Sequence, residues 1–100
     1  MLAKILIERQ FTLGNEKEIL SLLNNLRALA MNQPGYISGL TMTIPDDPGN
    51  MMVISTWQTL DNWQAGKENT ERKNLEAMLE IYQERPTEYR EYIVGFGLVS

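Results

Sequence analysis

The side chains that could carry out chemistry in this chain are few, and they exclude several types of reaction. The 100 residues contain no histidine and no cysteine. Histidine is the usual general base and a common metal ligand, and cysteine supplies thiolates for catalysis and metal binding. The sequence shows no paired-carboxylate motif, no metal-ligand spacing and no glycine-rich phosphate loop. We therefore expect no metal and no cofactor, and a chemistry limited to amides, cations and aromatic rings.

Such groups cluster in the stretch "STWQTLDNWQAG", residues 55–66, which holds both tryptophans on either side of a strand-to-helix junction. Trp63 is more typical of a core residue than of a ligand contact, because large aromatic side chains are mostly buried. Trp57 fits either role. Asn62 and Gly66 are four residues apart and share one helix face. Asn62 is either a local cap or a catalytic amide, and Gly66 either breaks the helix or widens a pocket mouth.

Four further side chains are candidates for a ligand site. Arg9, at the end of the first apolar run, could hold an enolate or a carboxylate, although a surface ion pair is the commoner role. Tyr36, Tyr82 and Met42 could line a pocket, but both residue types are also ordinary core and interface residues. The Glu and Arg positions of residues 68–91 are interpreted as solvated helix faces.

The elements that must position these residues follow from the hydrophobic pattern and the turn residues. The pattern predicts a strand at 2–11, followed by a helix that Asn15 caps and that ends at 33–35. Two strands follow, at 36–44 and 51–58, with a turn at 45–50 between them. Thr59 caps a second helix, which breaks near 66–69 and ends before Pro86, and the last strand is predicted at 87–99.

This order, βαββαβ, predicts a single α+β domain over residues 1–100. The fold expected is ferredoxin-like, with both helices on one face of a four-stranded antiparallel sheet. The other face of the sheet remains apolar, and its area is too large to be exposed to solvent in a monomer. We expect a homodimer in which two sheets pack face to face as a dimeric α/β barrel. The open face is expected to present some of the side chains of Leu2, Leu6, Tyr36, Leu40, Met42, Met52, Ile54, Tyr92, Val94 and Phe96.

Charge and hydropathy exclude several kinds of partner. The net charge is −4, and the nine basic residues are scattered along the chain. Nucleic acids and anionic membranes both need clustered Lys and Arg, so neither is an expected partner. No apolar stretch approaches the roughly 20 residues of a membrane span, and we expect no signal peptide. The absence of cysteine is compatible with a reducing compartment, and a cytoplasmic location is expected.

The runs "STWQ", "TLDNW" and "ENTERKNL" resemble the antibiotic biosynthesis monooxygenase family, dimeric α/β-barrel proteins of about this length. The resemblance implies that Trp57 is the family's strand-end tryptophan and that Trp63 is a large hydrophobic residue on the next helix. In cofactor-free oxygenases of the family, an Asn stands four residues before an aromatic that faces the pocket. Asn62 matches that Asn, whereas Gly66 replaces the aromatic. Haem-degrading members use a His, which this chain lacks.

The resemblance favours a cofactor-independent monooxygenase that acts on a phenolic or quinol-type aromatic molecule. A deprotonated phenol or quinol can pass an electron to O₂ by itself, so the protein must only bind, orient and desolvate the anion. Asn62 and Arg9 would stabilise the oxyanion. The alternative is a small-molecule-binding or stress-related dimer without turnover, which Gly66 favours. A third possibility is an isomerase or decarboxylase on the same scaffold.

Overall fold

Four strands and three helices follow one another in residues 1–95, the part of the chain that the structure, a computed structural model, describes. No helix within these residues is long and apolar enough to cross a membrane. The elements are β1 (Ala3–Gln10), α1 (Glu16–Met31), β2 (Tyr36–Ile44), β3 (Asp47–Trp57), α2 (Leu60–Lys67), α3 (Thr70–Glu80) and β4 (Glu88–Ile93).

The strands form one antiparallel sheet in the order β2-β3-β1-β4. Alternate side chains of the central strand β1 are fully buried, and residues between them are half-buried. Ile5 and Ile7 therefore face the helices, whereas Leu6 faces the opposite side, as a period of two requires. The predicted ferredoxin-like α+β fold is confirmed.

Apolar side chains between the sheet and the helices form two packed clusters. Burial of each large apolar side chain contributes about 1.5–3 kcal/mol, so these clusters dominate the stability of the fold. The members of the first cluster are Ala3, Ile5, Ile7, Trp57 and Trp63. Those of the second are Phe11, Ile19, Leu22, Leu26 and Leu79, and they join α1 to α3.

The second helical segment is divided in two, as the sequence predicts. The backbone turns away after Lys67, and the Asn69 side chain caps α3 by accepting a hydrogen bond of 3.1 Å from the Arg72 amide. The Thr59 side chain caps α2 by accepting a hydrogen bond of 3.0 Å from the backbone N–H of Asn62, which confirms the predicted role of Thr59. Asn15 is the N-cap residue of α1, as predicted, but its side chain makes no cap hydrogen bond.

Two strand boundaries differ from the predicted ones. Ile44 of β2 pairs with Asp47 of β3, so the connection is a tight turn and β3 begins earlier than residue 51. The predicted last strand is observed as Glu88–Ile93. Residues 96–99 of that prediction, Phe96 among them, lie outside the described residues.

The open face of the sheet is apolar near its centre. Leu40 pairs with Ile54 and Met42 with Met52 across β2 and β3. The prediction that Tyr36 belongs to this face is wrong. The pairing shifts register between Tyr36 and Ser38, and a bulge of this kind turns Tyr36 to the helix side.

Candidate functional site

A cavity of about 260 Å³ lies between α1 and the helix-facing side of β1, β2 and β3. Gly39, Thr41 and Ser55 are small, which leaves space beneath the helix. An engineered apolar cavity of about 150 Å³ holds benzene, so this one has room for one or two aromatic rings. The apolar residues that line it are Ile7, Leu20, Leu23, Leu26, Ala30, Met51, Val53 and Trp57.

Aromatic side chains build one wall of the cavity. The rings of Tyr36 and Trp57 meet edge to face with 5.4 Å between their centroids. The Trp57 indole N–H donates to the Ser55 hydroxyl at 3.1 Å, which fixes the orientation of the ring. Trp63 packs behind Trp57 and is fully buried, with its Nε1 donating to Glu91 at 2.6 Å. Trp57 and Tyr36 therefore line the cavity, whereas Trp63 supports the wall from within the core.

Buried charges lie at one end of the cavity. Arg9 is only 2% exposed, and its Nη2 donates to Oε1 of Glu76 at 2.6 Å. The ion pair predicted for Arg9 is thus buried and not on the surface. Arg72 stacks over the Trp63 ring at 4.9 Å and also lines the cavity.

Glu76 is the carboxylate that joins these charges. Its Oε2 accepts a hydrogen bond from the Tyr89 hydroxyl and lies 3.8 Å from Nη2 of Arg72. Burial and the adjacent Glu76 carboxylate together raise the pKa of Tyr89 to about 12. The prediction that all Glu and Arg positions of 68–91 are solvated is wrong for Arg72 and Glu76, whose side chains are 7% and 12% exposed.

The charges that line the cavity are all positive. Among the described residues, Arg9, Arg27 and Arg72 line it and no Asp or Glu does. Arg27 belongs to α1 and is exposed, so it stands towards the mouth. The cavity is a positively charged site in a chain whose net charge is −4.

The structure brings together three of the predicted site residues, namely Arg9, Tyr36 and Trp57. The remaining five do not line this cavity. Trp63 is a core residue, Gly66 is buried against the Trp57 ring, Tyr82 packs on the second apolar cluster, and Met42 lies on the open face of the sheet. The Asn62 side chain covers Gly35 and accepts a hydrogen bond of 2.7 Å from the Thr59 hydroxyl. The functional roles of these five residues stay predictions.

Arg72 is a buried, charged cavity residue that the sequence motifs do not identify. It stands among charged neighbours in "TERKNLE", which is typical of a solvated helix face. A signal was nevertheless present. Arg72 precedes Leu75 by three residues and Leu79 by seven, so it lies on the apolar stripe of α3.

Comparison with known proteins agrees with this architecture. A family model described as antibiotic biosynthesis monooxygenase matches residues 3–77, which include β1, β2, β3 and most of the helical residues. The chain belongs to the antibiotic biosynthesis monooxygenase family. The resemblance seen in the motifs around Trp57 is thereby confirmed. No curated protein matches the sequence.

Several solved structures share the fold of this family member at low sequence identity. A conserved protein from Methanosarcina mazei Go1 superposes with a TM-score of 0.85 and 14% identity, over 92% of this chain and 91% of that one. SnoaB from Streptomyces nogalater, a cofactor-independent oxygenase, superposes with a TM-score of 0.83 and 14% identity, over 95% and 94%. A protein from Mycobacterium tuberculosis does so with a TM-score of 0.83 and 10% identity, over 96% and 97%.

Proposed function

We propose that this family member is a cofactor-independent monooxygenase that acts on a phenolic or quinol-type aromatic molecule in the cavity beneath α1. The observation that carries the proposal is the buried Arg9 guanidinium at the end of an apolar cavity walled by Trp57 and Tyr36. SnoaB, whose fold is similar, is a cofactor-independent oxygenase, and this supports the proposal by analogy.

Binding in this cavity would favour the reactive form of a phenol. The apolar walls exclude water from the ring, and the aromatic side chains of Tyr36 and Trp57 orient it. A nearby positive charge lowers the pKa of an acid in a low-dielectric site. The guanidinium of Arg9 therefore favours the phenolate, and solvent accepts the proton.

The phenolate can then react with O₂ without an external reductant. One electron passes from the phenolate to O₂, and the resulting radical and superoxide combine to form a C–O bond at a ring carbon. Protonation gives a hydroperoxide. Loss of the ring proton and cleavage of the O–O bond then release water and leave a quinone, so that one phenol and one O₂ give one quinone and one H₂O. Arg9 stabilises the anion before electron transfer, and the walls protect the radical pair from solvent.

We also propose that two copies of the chain pair through the open face of the sheet. The support is the exposed apolar surface there, where Leu40 and Met42 on β2 are 58% and 41% exposed and Tyr92 on β4 is 51% exposed. Such a surface is typical of an interface. The cytoplasmic location stays a prediction from the lack of cysteine.

The alternative function is binding of a small aromatic molecule without turnover. Two observations favour it. Gly66 stands where the resemblance places a pocket aromatic, and its backbone is packed against Trp57. The Asn62 amide is bonded to Thr59 and does not line the cavity.

Oxygen uptake with a panel of mono- and bicyclic phenols and quinols, with and without a chelator, tests the proposal. We expect uptake of one O₂ per quinone formed, without accumulation of H₂O₂. Arg9→Met should lower the rate by about 10²-fold, as loss of an oxyanion donor does, while Arg9→Lys keeps part of it. No uptake above buffer with a folded protein that still binds the phenols would favour the binding function.

A further inference from the structure

We propose that the cavity selects aromatic molecules that carry a permanent carboxylate, and that Arg72 is the residue that recognises this group. The inference rests on the proposed function for the position of the ligand. It adds the chemical class of that ligand and a specificity-determining residue on α3.

The first argument is the charge of the cavity. Three arginines line it, and the carboxylate of Glu76 is the acidic group that contacts two of them. Arg27 is exposed at the mouth, where solvent screens its charge, so one buried positive charge remains uncompensated within the described residues. A neutral aromatic molecule leaves this charge unbalanced, whereas a carboxylate, which is ionised at neutral pH, balances it.

The hydrogen bonding of the Arg72 guanidinium is incomplete. The residue is 6% exposed, yet within residues 1–95 its guanidinium donates no hydrogen bond. Its Nη2 is 3.8 Å from Glu76, beyond hydrogen-bonding distance, and its buried Nε has no acceptor. Buried donors are nearly always paired in folded proteins, so these N–H groups point to a missing acceptor.

The shape of the guanidinium identifies that acceptor. The Nε and Nη atoms of an arginine form a planar fork that matches the two oxygens of a carboxylate. Stacking on Trp63 at 4.9 Å holds the plane of Arg72 in place. Arg9 has committed one nitrogen to Glu76, but its Nε is also buried without an acceptor, so it can assist at the same end of the cavity.

Binding of 1-naphthoate and 1-naphthamide, measured by calorimetry without O₂, tests the inference. The two molecules have the same bicyclic body and nearly the same shape, and only the first is charged. Trp57 lines the cavity, so quenching of its fluorescence gives a second readout. We expect the carboxylate to bind the wild-type protein at least 10-fold more tightly than the amide.

The variant Arg72→Gln should abolish this preference. Hydrogen bonds to charged groups correspond to about 10- to 100-fold in affinity, so the naphthoate Kd should rise by that factor. The naphthamide Kd should change less than about 3-fold, because this ligand has no charged group for Arg72 to bind. A merely structural effect of the substitution would instead weaken the binding of both ligands alike. Arg72→Lys retains the charge but not the planar fork, and it should restore the preference only in part.

Equal affinities for the two ligands in the wild-type protein would overturn the inference, as would equal losses of both ligands in Arg72→Gln. Failure of 1-naphthoate to bind at millimolar concentration would also overturn it. The wild-type comparison needs no variant, so it remains decisive even where Arg72→Gln does not fold. These measurements involve no oxygen, and a failure of oxygenation would leave them unaffected.

Discussion

The backbone of Gly66 packs directly against the indole of Trp57. A Cβ at residue 66 would lie 2.8 Å from Cη2 of that ring, closer than side-chain carbons approach one another. The Trp57 indole thus occupies the space that a side chain at residue 66 would need. This contact supports the Trp57 indole, which forms one wall of the cavity.

Substitution of Gly66 should therefore destabilise the protein. Overpacking costs about 1–3 kcal/mol, and the better helix propensity of alanine returns up to about 1 kcal/mol. We expect Gly66→Ala to lower the free energy of unfolding by about 1 kcal/mol, measured in urea, and Gly66→Trp to lower it much further. In a Trp57→Phe background the cost of Gly66→Ala should shrink. Additive effects of the two substitutions would contradict the contact.

Removal of the carboxylate that joins the buried charges should be more damaging. Glu76→Gln leaves Arg9 buried without its counter-ion, and breaking a buried pair typically costs about 3–5 kcal/mol. The matched control is Glu68→Gln, whose partner Lys73 lies at 2.5 Å but on the surface. Solvent screens such a pair, so we expect no measurable change in its urea midpoint. Similar midpoints for the two variants would contradict a stabilising role of Glu76.

The raised pKa of Tyr89 predicts a dependence of stability on alkaline pH. Its pKa rises from 10.0 to about 12 in the folded protein. The neutral phenol is thus favoured by folding, and its contribution is complete below pH 10.0 and is lost as the pH rises towards 12. Tyr89→Phe removes this contribution. We expect the difference in unfolding free energy between wild type and Tyr89→Phe to fall over that window, and a constant difference would contradict the assignment.

The fold was predictable because its signals are local. The apolar run of β1, the Thr59 cap and the weak helix residues Gly66 and Asn69 each specify a backbone conformation without distant partners. The register shift after Tyr36 was not predictable in this way, since the additional residue of a bulge has no characteristic residue type here. One unpaired residue was enough to move Tyr36 from the open face into the cavity wall.

The site was less predictable because it depends on contacts between distant residues. Arg9 and Glu76 are 67 positions apart, and no spacing rule connects a strand end with the middle of α3. The sequence shows Arg72 as one charge in a charged run. Its spacing from Leu75 and Leu79 is the one sequence signal of burial, and the packing over Trp63 shows that the side chain is buried.

The proposed homodimer gives a prediction about the open face. Leu40 is 58% exposed on that face, and Ile81 is 76% exposed just after α3. Leu40→Asp would bury a charge at the proposed interface, so we expect monomers or aggregates. Ile81→Asp should remain a dimer. Sedimentation equilibrium at micromolar concentration separates these outcomes, and a wild-type species of 11.5 kDa would rule out the dimer.

The final prediction concerns Asn62, for which the family resemblance and the geometry differ. The resemblance implies a catalytic amide, and loss of such an oxyanion donor costs about 10²–10³-fold in rate. In the structure, Oδ1 of Asn62 instead accepts a hydrogen bond of 2.7 Å from the Thr59 hydroxyl, and the Asn62 side chain lies over Gly35. We expect Asn62→Ala to lose about 1 kcal/mol of stability and to retain its rate of oxygen uptake within a few-fold.

Thr59→Ala is the matched control, because it removes the other partner of the same hydrogen bond and the cap of α2, at a similar cost of about 1 kcal/mol. Any loss of rate that follows from a loosened α2 should therefore be the same in both variants. A rate that falls 100-fold or more in Asn62→Ala, but not in Thr59→Ala, would show that the amide reaches the substrate, since it could not be explained by the cap. Closely matched rates in the two variants would assign Asn62 to the helix start and leave Arg9 as the group that stabilises the anion.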